Sequence, residues 1–164
     1  MTVKAGTAVW SFVIASFIGW VYEEICTLIV FGEFADRGFL QLPLCPIYGF
    51  GAWLFFLCVY KIKNVALIVL VSAVMSGVYE YLCSYILEKV FNTSLWSYEL
   101  WILSINGRIS LLACLFFGLF TALFVKCVVP LVAKAVTAMP KWAVIVSSCL
   151  AVIVTAGDAL DILI

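Results

Sequence analysis

Two short segments of the sequence carry the same acid in the same setting. Val21-Tyr22-Glu23-Glu24-Ile25-Cys26-Thr27-Leu28-Ile29 and Val78-Tyr79-Glu80-Tyr81-Leu82-Cys83-Ser84-Tyr85-Ile86 share Val, Tyr, Glu, Cys and the final Ile in register. Each copy is followed by Arg beside Gly, as Arg37-Gly38 and as Asn106-Gly107-Arg108. A carboxylate near the centre of a bilayer costs about 2.5 to 3.5 kcal/mol on insertion scales, so Glu23 and Glu80 need a partner or a wet cavity. Helical spacing puts Ser16, Gly19, Glu23 and Thr27 on one stripe, and Ser76, Glu80, Ser84 and Glu88 on another. Two carboxylates brought together repel unless a cation neutralises them, and each copy supplies one Arg for that purpose. The chemistry that fits is an ion or ligand pocket lined by Glu23, Glu80, Arg37, Arg108 and Asn106, with Glu24, Glu88, Tyr22 and Tyr79 beside them. The competing reading is structural: Glu-Arg pairs that pin a loop onto a bundle. Asp158 and Asp161, spaced i, i+3, are weaker candidates, and Lys126 can snorkel or pair with an acid.

The elements that must position these residues are membrane helices. Of 164 residues, 67% are hydrophobic and 11% charged, against about 25% charged in soluble domains. Spans are expected at about 8–31, 46–60, 65–90, 109–133 and 142–164, the second short and either tilted or re-entrant. One transmembrane domain then occupies 1–164: an all-α bundle of about five helices. Because an even number of crossings separates the copies, helices 1-2 and 3-4 form a parallel internal repeat, and the fifth helix is an addition. The first apolar stretch is too long for a signal-peptide core and is read as a retained span. Lys4, Lys61, Lys63, Lys134 and Lys141 fall on one side, against Arg37, Lys89 and Arg108 on the other. That bias places the N-terminus in the cytoplasm and the C-terminus outside. Lys61 to Asn64 and Lys134 to Lys141 read as polar turns. The two opposite connections are long and apolar (Phe34, Phe39, Leu40, Leu42, Leu44; Leu95, Trp96, Trp101, Ile102, Leu103), and such loops either dip into the bundle or anchor in the aromatic belt. Formal net charge is zero, which excludes the basic field of a nucleic-acid binder. With seven mostly intraspan Cys and no His, neither a disulfide framework nor a zinc site is expected. No catalytic, cofactor or metal residue is assigned.

Phe17-Ile18-Gly19-Trp20-Val21-Tyr22-Glu23, Arg37-Gly38-Phe39-Leu40, Pro43-Leu44-Cys45-Pro46-Ile47-Tyr48-Gly49-Phe50-Gly51, Glu80-Tyr81 and Asn106-Gly107-Arg108 together resemble the putative ABC-transporter type IV family, also called CmpB-like, of small bacterial membrane proteins. The resemblance covers nearly the whole chain and implies a multi-span protein of the cell (inner) membrane with a transport role. The family pattern has Trp-Asp-Tyr before the Asn-Gly block, whereas Trp96-Ser97-Tyr98 lacks that acid, so its role does not transfer. No Gly-x-x-x-x-Gly-Lys-[Ser/Thr] loop is present, so ATP chemistry would require a separate ATPase subunit.

The function expected is that of a permease, or of the membrane component of a transporter, with a polar intramembrane pocket between the repeats. One alternative is a membrane-embedded enzyme acting on a lipid-linked substrate, with a carboxylate as base and Arg37 or Arg108 on a phosphate. The missing His, metal ligands and activated nucleophile argue against it. Another alternative is a non-catalytic scaffold whose small-residue face, Gly118 to Ala122, mediates homo-oligomerisation.

Overall fold

The computed structural model describes residues 2–32, 41–94, 96–99 and 101–163. In chain order these form α1 (Thr2–Phe31), α2 (Pro46–Val59), α3 (Val65–Phe91), a two-stranded hairpin of β1 (Ser104–Ile105) and β2 (Ile109–Ser110), α4 (Leu111–Leu123), a π-helical turn (Phe124–Val128), α5 (Val129–Ala138) and α6 (Lys141–Leu163). Among the described residues, four helical stretches are long and apolar enough to cross a membrane: Val3–Ile29, Val65–Val90, Leu111–Ala138 and Lys141–Asp158. The fifth, α2, has only 14 residues, or about 21 Å at 1.5 Å per residue, which falls short of a hydrocarbon core of about 30 Å.

Helix ends follow local chemistry. The Asn64 side chain accepts from Leu67 N to cap α3, and Asn92 ends that helix in the left-handed region at φ 50°. The π-turn lies just before Pro130, which has no N–H to give to the regular helix ladder. The expected polar turn at Lys134 to Lys141 shrinks to Met139-Pro140, because helix continues through Ala138 and only the residue before Pro is forced into extended backbone.

The chain packs as two compact units, Met1–Trp53 with Lys126–Ile164, and Leu54–Val125. In the first, Val132 and Val136 of α5 and Val144 of α6 form a buried cluster with Trp10 and Ile14 of α1. Here α2 does not start where α1 ends. The Cys45 N–H donates to the Ser16 carbonyl at 3.0 Å, halfway along the 30-residue α1. Trp53 Nε1–H then donates to the Ala8 carbonyl at 3.1 Å, so the first two turns of α2 run antiparallel to α1 from its midpoint toward its N-terminus. Gly49 permits this approach, since a Cβ there would lie 2.5 Å from Ser16 Oγ and 2.6 Å from the Phe12 ring.

In the second unit Val59, Ile68, Ala122 and Val125 make the buried cluster. A Cβ on Gly118 would lie 2.5 Å from the Val69 carbonyl oxygen and 3.2 Å from Ala73 Cβ. Ser76 Oγ donates to the Ala73 carbonyl at 2.9 Å and lies 3.4 Å from the Cys114 carbonyl. So α4, too, begins beside the middle of the helix before it. Within the Gly118 to Ala122 face, Gly118, Thr121 and Ala122 are buried in the unit, where small size brings α4 onto α3, while Leu119 and Phe120 are exposed.

Candidate functional site

In the first unit the site is built on Glu23. Thr27, one turn further on, turns its hydroxyl back to the Glu23 carbonyl at 2.9 Å. The Glu23 carboxylate accepts a short hydrogen bond from the Tyr48 hydroxyl, and the Tyr48 ring lies over Gly19 and stands edge-on to Tyr22 with 6.2 Å between centroids. Tyr48 belongs to the first turn of α2, which opens with Pro46, a residue suited to a helix start. Since α2 runs antiparallel to α1 from Ser16, the positive end of its dipole points along α1 toward Glu23, where a negative charge is favoured. Glu24 and Thr27 are buried, and Glu23 is half-buried.

The stretch that leads into α2 is tied down twice. Besides the bond from Cys45 to Ser16, the Leu42 N–H donates to Asp158 Oδ2 of α6 at 3.1 Å. Cys45 is buried at the midpoint of α1.

In the second unit Glu80 is 8% exposed, next to the buried Ser76 on the same stripe. Tyr79 meets the Phe55 ring edge-on at 6.0 Å. Arg108 does not reach Glu80. Its guanidinium ion-pairs with Glu88 and donates to Ser84 Oγ at 3.1 Å, with the Tyr81 and Tyr85 rings each 5.8 Å away. Glu88 lies about two turns beyond Glu80 along α3. Arg108 is aimed there by the hairpin, whose turn is closed by Arg108 N–H to the Ile105 carbonyl at 3.1 Å and by the Trp96 indole N–H to the Arg108 carbonyl at 3.2 Å.

Of the residues singled out in the sequence, Glu23 and Tyr22 meet Tyr48 in the first unit, and Glu88 and Arg108 form an ion pair near the end of α3 in the second. Asn106 is exposed and takes part in the hairpin turn, where it and Gly107 take φ of 52° and 67°. Lys126 is exposed in the π-turn. Arg37, Gly38, Phe34, Phe39, Leu40 and Leu95, and the side chain of Asp161, lie outside the described residues. Sequence reasoning missed Tyr48 as a site residue and underrated Asp158. The signal for Tyr48 lay in Pro46-Ile47-Tyr48-Gly49, where a helix-starting Pro and a Gly bracket a phenol.

Long apolar helices, a short helix that starts halfway along its neighbour and acids held inside the packing define a polytopic helical membrane protein. The chain belongs to the Putative ABC-transporter type IV family, whose model matches residues 10–162. Comparison with curated proteins and with solved structures gives no significant match.

Proposed function

We propose that this chain is the permease-like membrane component of a transporter for a small cation or a cation-coupled solute, with Glu23 and Glu80 both required for passage. The observation that carries the reading is the start of α2 at the midpoint of α1, with its Tyr48 on Glu23. Transporters commonly place their sites where a crossing is broken and the end of a half-helix faces the substrate or its coupling ion. On this reading α2 counts as a partial crossing that begins at mid-depth. That gives five crossings in all, and the lysine bias puts the N-terminus in the cytoplasm and the C-terminus outside the cell (inner) membrane.

The reading includes a duplication, helices α1 and α2 repeated as α3 and α4. Support extends past the acids: Gly49 lies against Phe12 and Ser16, and Gly118 against Val69 and Ala73. The α1 and α3 positions are offset by the same number of residues as Glu23 and Glu80. Cys45 precedes Gly49 at the spacing at which Cys114 precedes Gly118. Since the sequence has no nucleotide loop, a separate ATPase subunit would power any ATP-driven step.

The test is cation flux into proteoliposomes holding the purified chain, read with an internal pH dye for protons and with radioactive sodium. Flux above that of empty liposomes is expected, cut at least about tenfold by Glu23→Gln or Glu80→Gln, the scale of one lost charged partner. Flux that is unchanged in both folded variants would overturn the reading.

A further inference from the structure

We propose that the cation handled at Glu23 is a proton, and that the Tyr48 hydroxyl keeps metal ions off that carboxylate. The inference rests on the transport reading above and names its ion. Three features carry it.

The first is which end of the phenol meets the acid. The Tyr48 hydroxyl donates to Glu23 Oε1, so the positive end of an O–H bond points at the carboxylate. A metal ion such as sodium or magnesium is held by several oxygen lone pairs converging on one point, and a donor aimed at the acid stands where such an ion would have to sit. A proton needs a single lone pair, which the second carboxylate oxygen supplies while the phenol stays in place.

The second is how the phenol is seated. Its ring lies over Gly19, where a Cβ would fall 2.2 Å from Tyr48 Cγ and 2.4 Å from Cδ2, and it stands edge-on to Tyr22. The Tyr48 N–H donates to the Cys45 carbonyl at 3.1 Å, and the Cys45 N–H donates in turn to the Ser16 carbonyl at 3.0 Å. Swinging the ring aside for a metal ion would therefore open a close contact with α1, whereas protonation leaves the packing as it is.

The third is the charge around the acid. Among the described residues, the titratable groups near Glu23 are Tyr22, Glu24 and Cys26 on α1, Tyr48 on α2 and Cys45 just before it. On α6, Asp158 accepts from the Leu42 N–H at 3.1 Å in the same unit. The positive end of the α2 dipole points toward Glu23. A metal ion bound there would set a full positive charge against that helix end, while a proton merges with the carboxylate into a neutral group.

The experiment treats the full chain in proteoliposomes with dicyclohexylcarbodiimide, an apolar reagent that adds to a protonated carboxyl group, and locates the adduct by mass spectrometry. Glu23 is expected to be labelled, less so as pH rises, and equally fast in sodium, potassium or magnesium chloride and in choline chloride of the same ionic strength. Tyr48→Phe removes the donor that favours the ionised acid. It is expected to speed labelling of Glu23 about tenfold, the scale of one hydrogen bond to a charged group, and to leave Glu80 of the other unit unchanged. Slower labelling of Glu23 in any of the three metal salts puts a metal ion on the acid and overturns the proton, while the transport reading stands. No adduct on Glu23 at any pH overturns it too, as does a Tyr48→Phe rate that fails to rise or that rises equally at Glu80. Labelling does not depend on flux, so an absence of cation flux would sink the transport reading and leave the proton site intact.

Discussion

Where α2 meets α1, a phenol from the arriving helix closes on a carboxylate of the receiving one; where α4 meets α3, the residue before the contact glycine is Phe117, which has no hydroxyl to offer. The two crossings are otherwise built alike: a glycine laid on two residues four apart, a cysteine four positions earlier, an acid further along the receiving helix. Backbone approach is thus the common requirement, and the polar chemistry is where they part. The acid of the first unit is held by a side chain of the short helix α2. In the second unit the cation that the sequence offers, Arg108, is spent on Glu88 at the end of α3. The difference suggests that the first crossing is tuned for polar contact and the second for closeness.

That contrast can be broken by substitution, with unfolding in detergent as the readout. Gly118→Ala should cost most, about 2 to 3 kcal/mol, because its methyl meets the backbone oxygen of Val69, which cannot rotate away. Tyr48→Phe should cost about 1.5 to 2 kcal/mol, since it strips a hydrogen bond from a charged, half-buried acceptor. Gly49→Ala should cost least, about 1 kcal/mol: its clashes are with Ser16 Oγ and the Phe12 ring, which can adjust, and alanine regains helix propensity. If Gly49→Ala proved costlier than Gly118→Ala, closeness would be the first crossing's requirement rather than the second's.

Much of the fold was legible in the sequence because length and apolarity decide it. Runs such as Val65–Val90 have no other way to satisfy their backbone. The shortness of the second helix was legible too, from the Tyr60 to Asn64 break. Its starting point along α1 was not, because the hydrogen bond from Cys45 to Ser16 joins residues far apart in the sequence, and no local pattern encodes that. The site was legible in its acids and less so in their partners. Ser76, Glu80, Ser84 and Glu88 share one helix face, so spacing alone could not choose which carboxylate Arg108 would meet; the hairpin's length chose Glu88. Tyr48 was overlooked because a Tyr in an apolar helix ordinarily reads as packing.

The most direct test of a helix beginning at the middle of its neighbour is a depth measurement by spin-label power saturation, with labels at Phe17 and Phe50, both exposed side chains. The Phe12 and Phe50 rings are 5.0 Å apart, so a label at position 50 should report a depth within about 8 Å of a label at position 17, five residues of helical rise from Phe12, with both inside the hydrocarbon. A label at position 50 resting among the headgroups, some 15 Å from the depth at position 17 as half a bilayer core requires, would contradict the account.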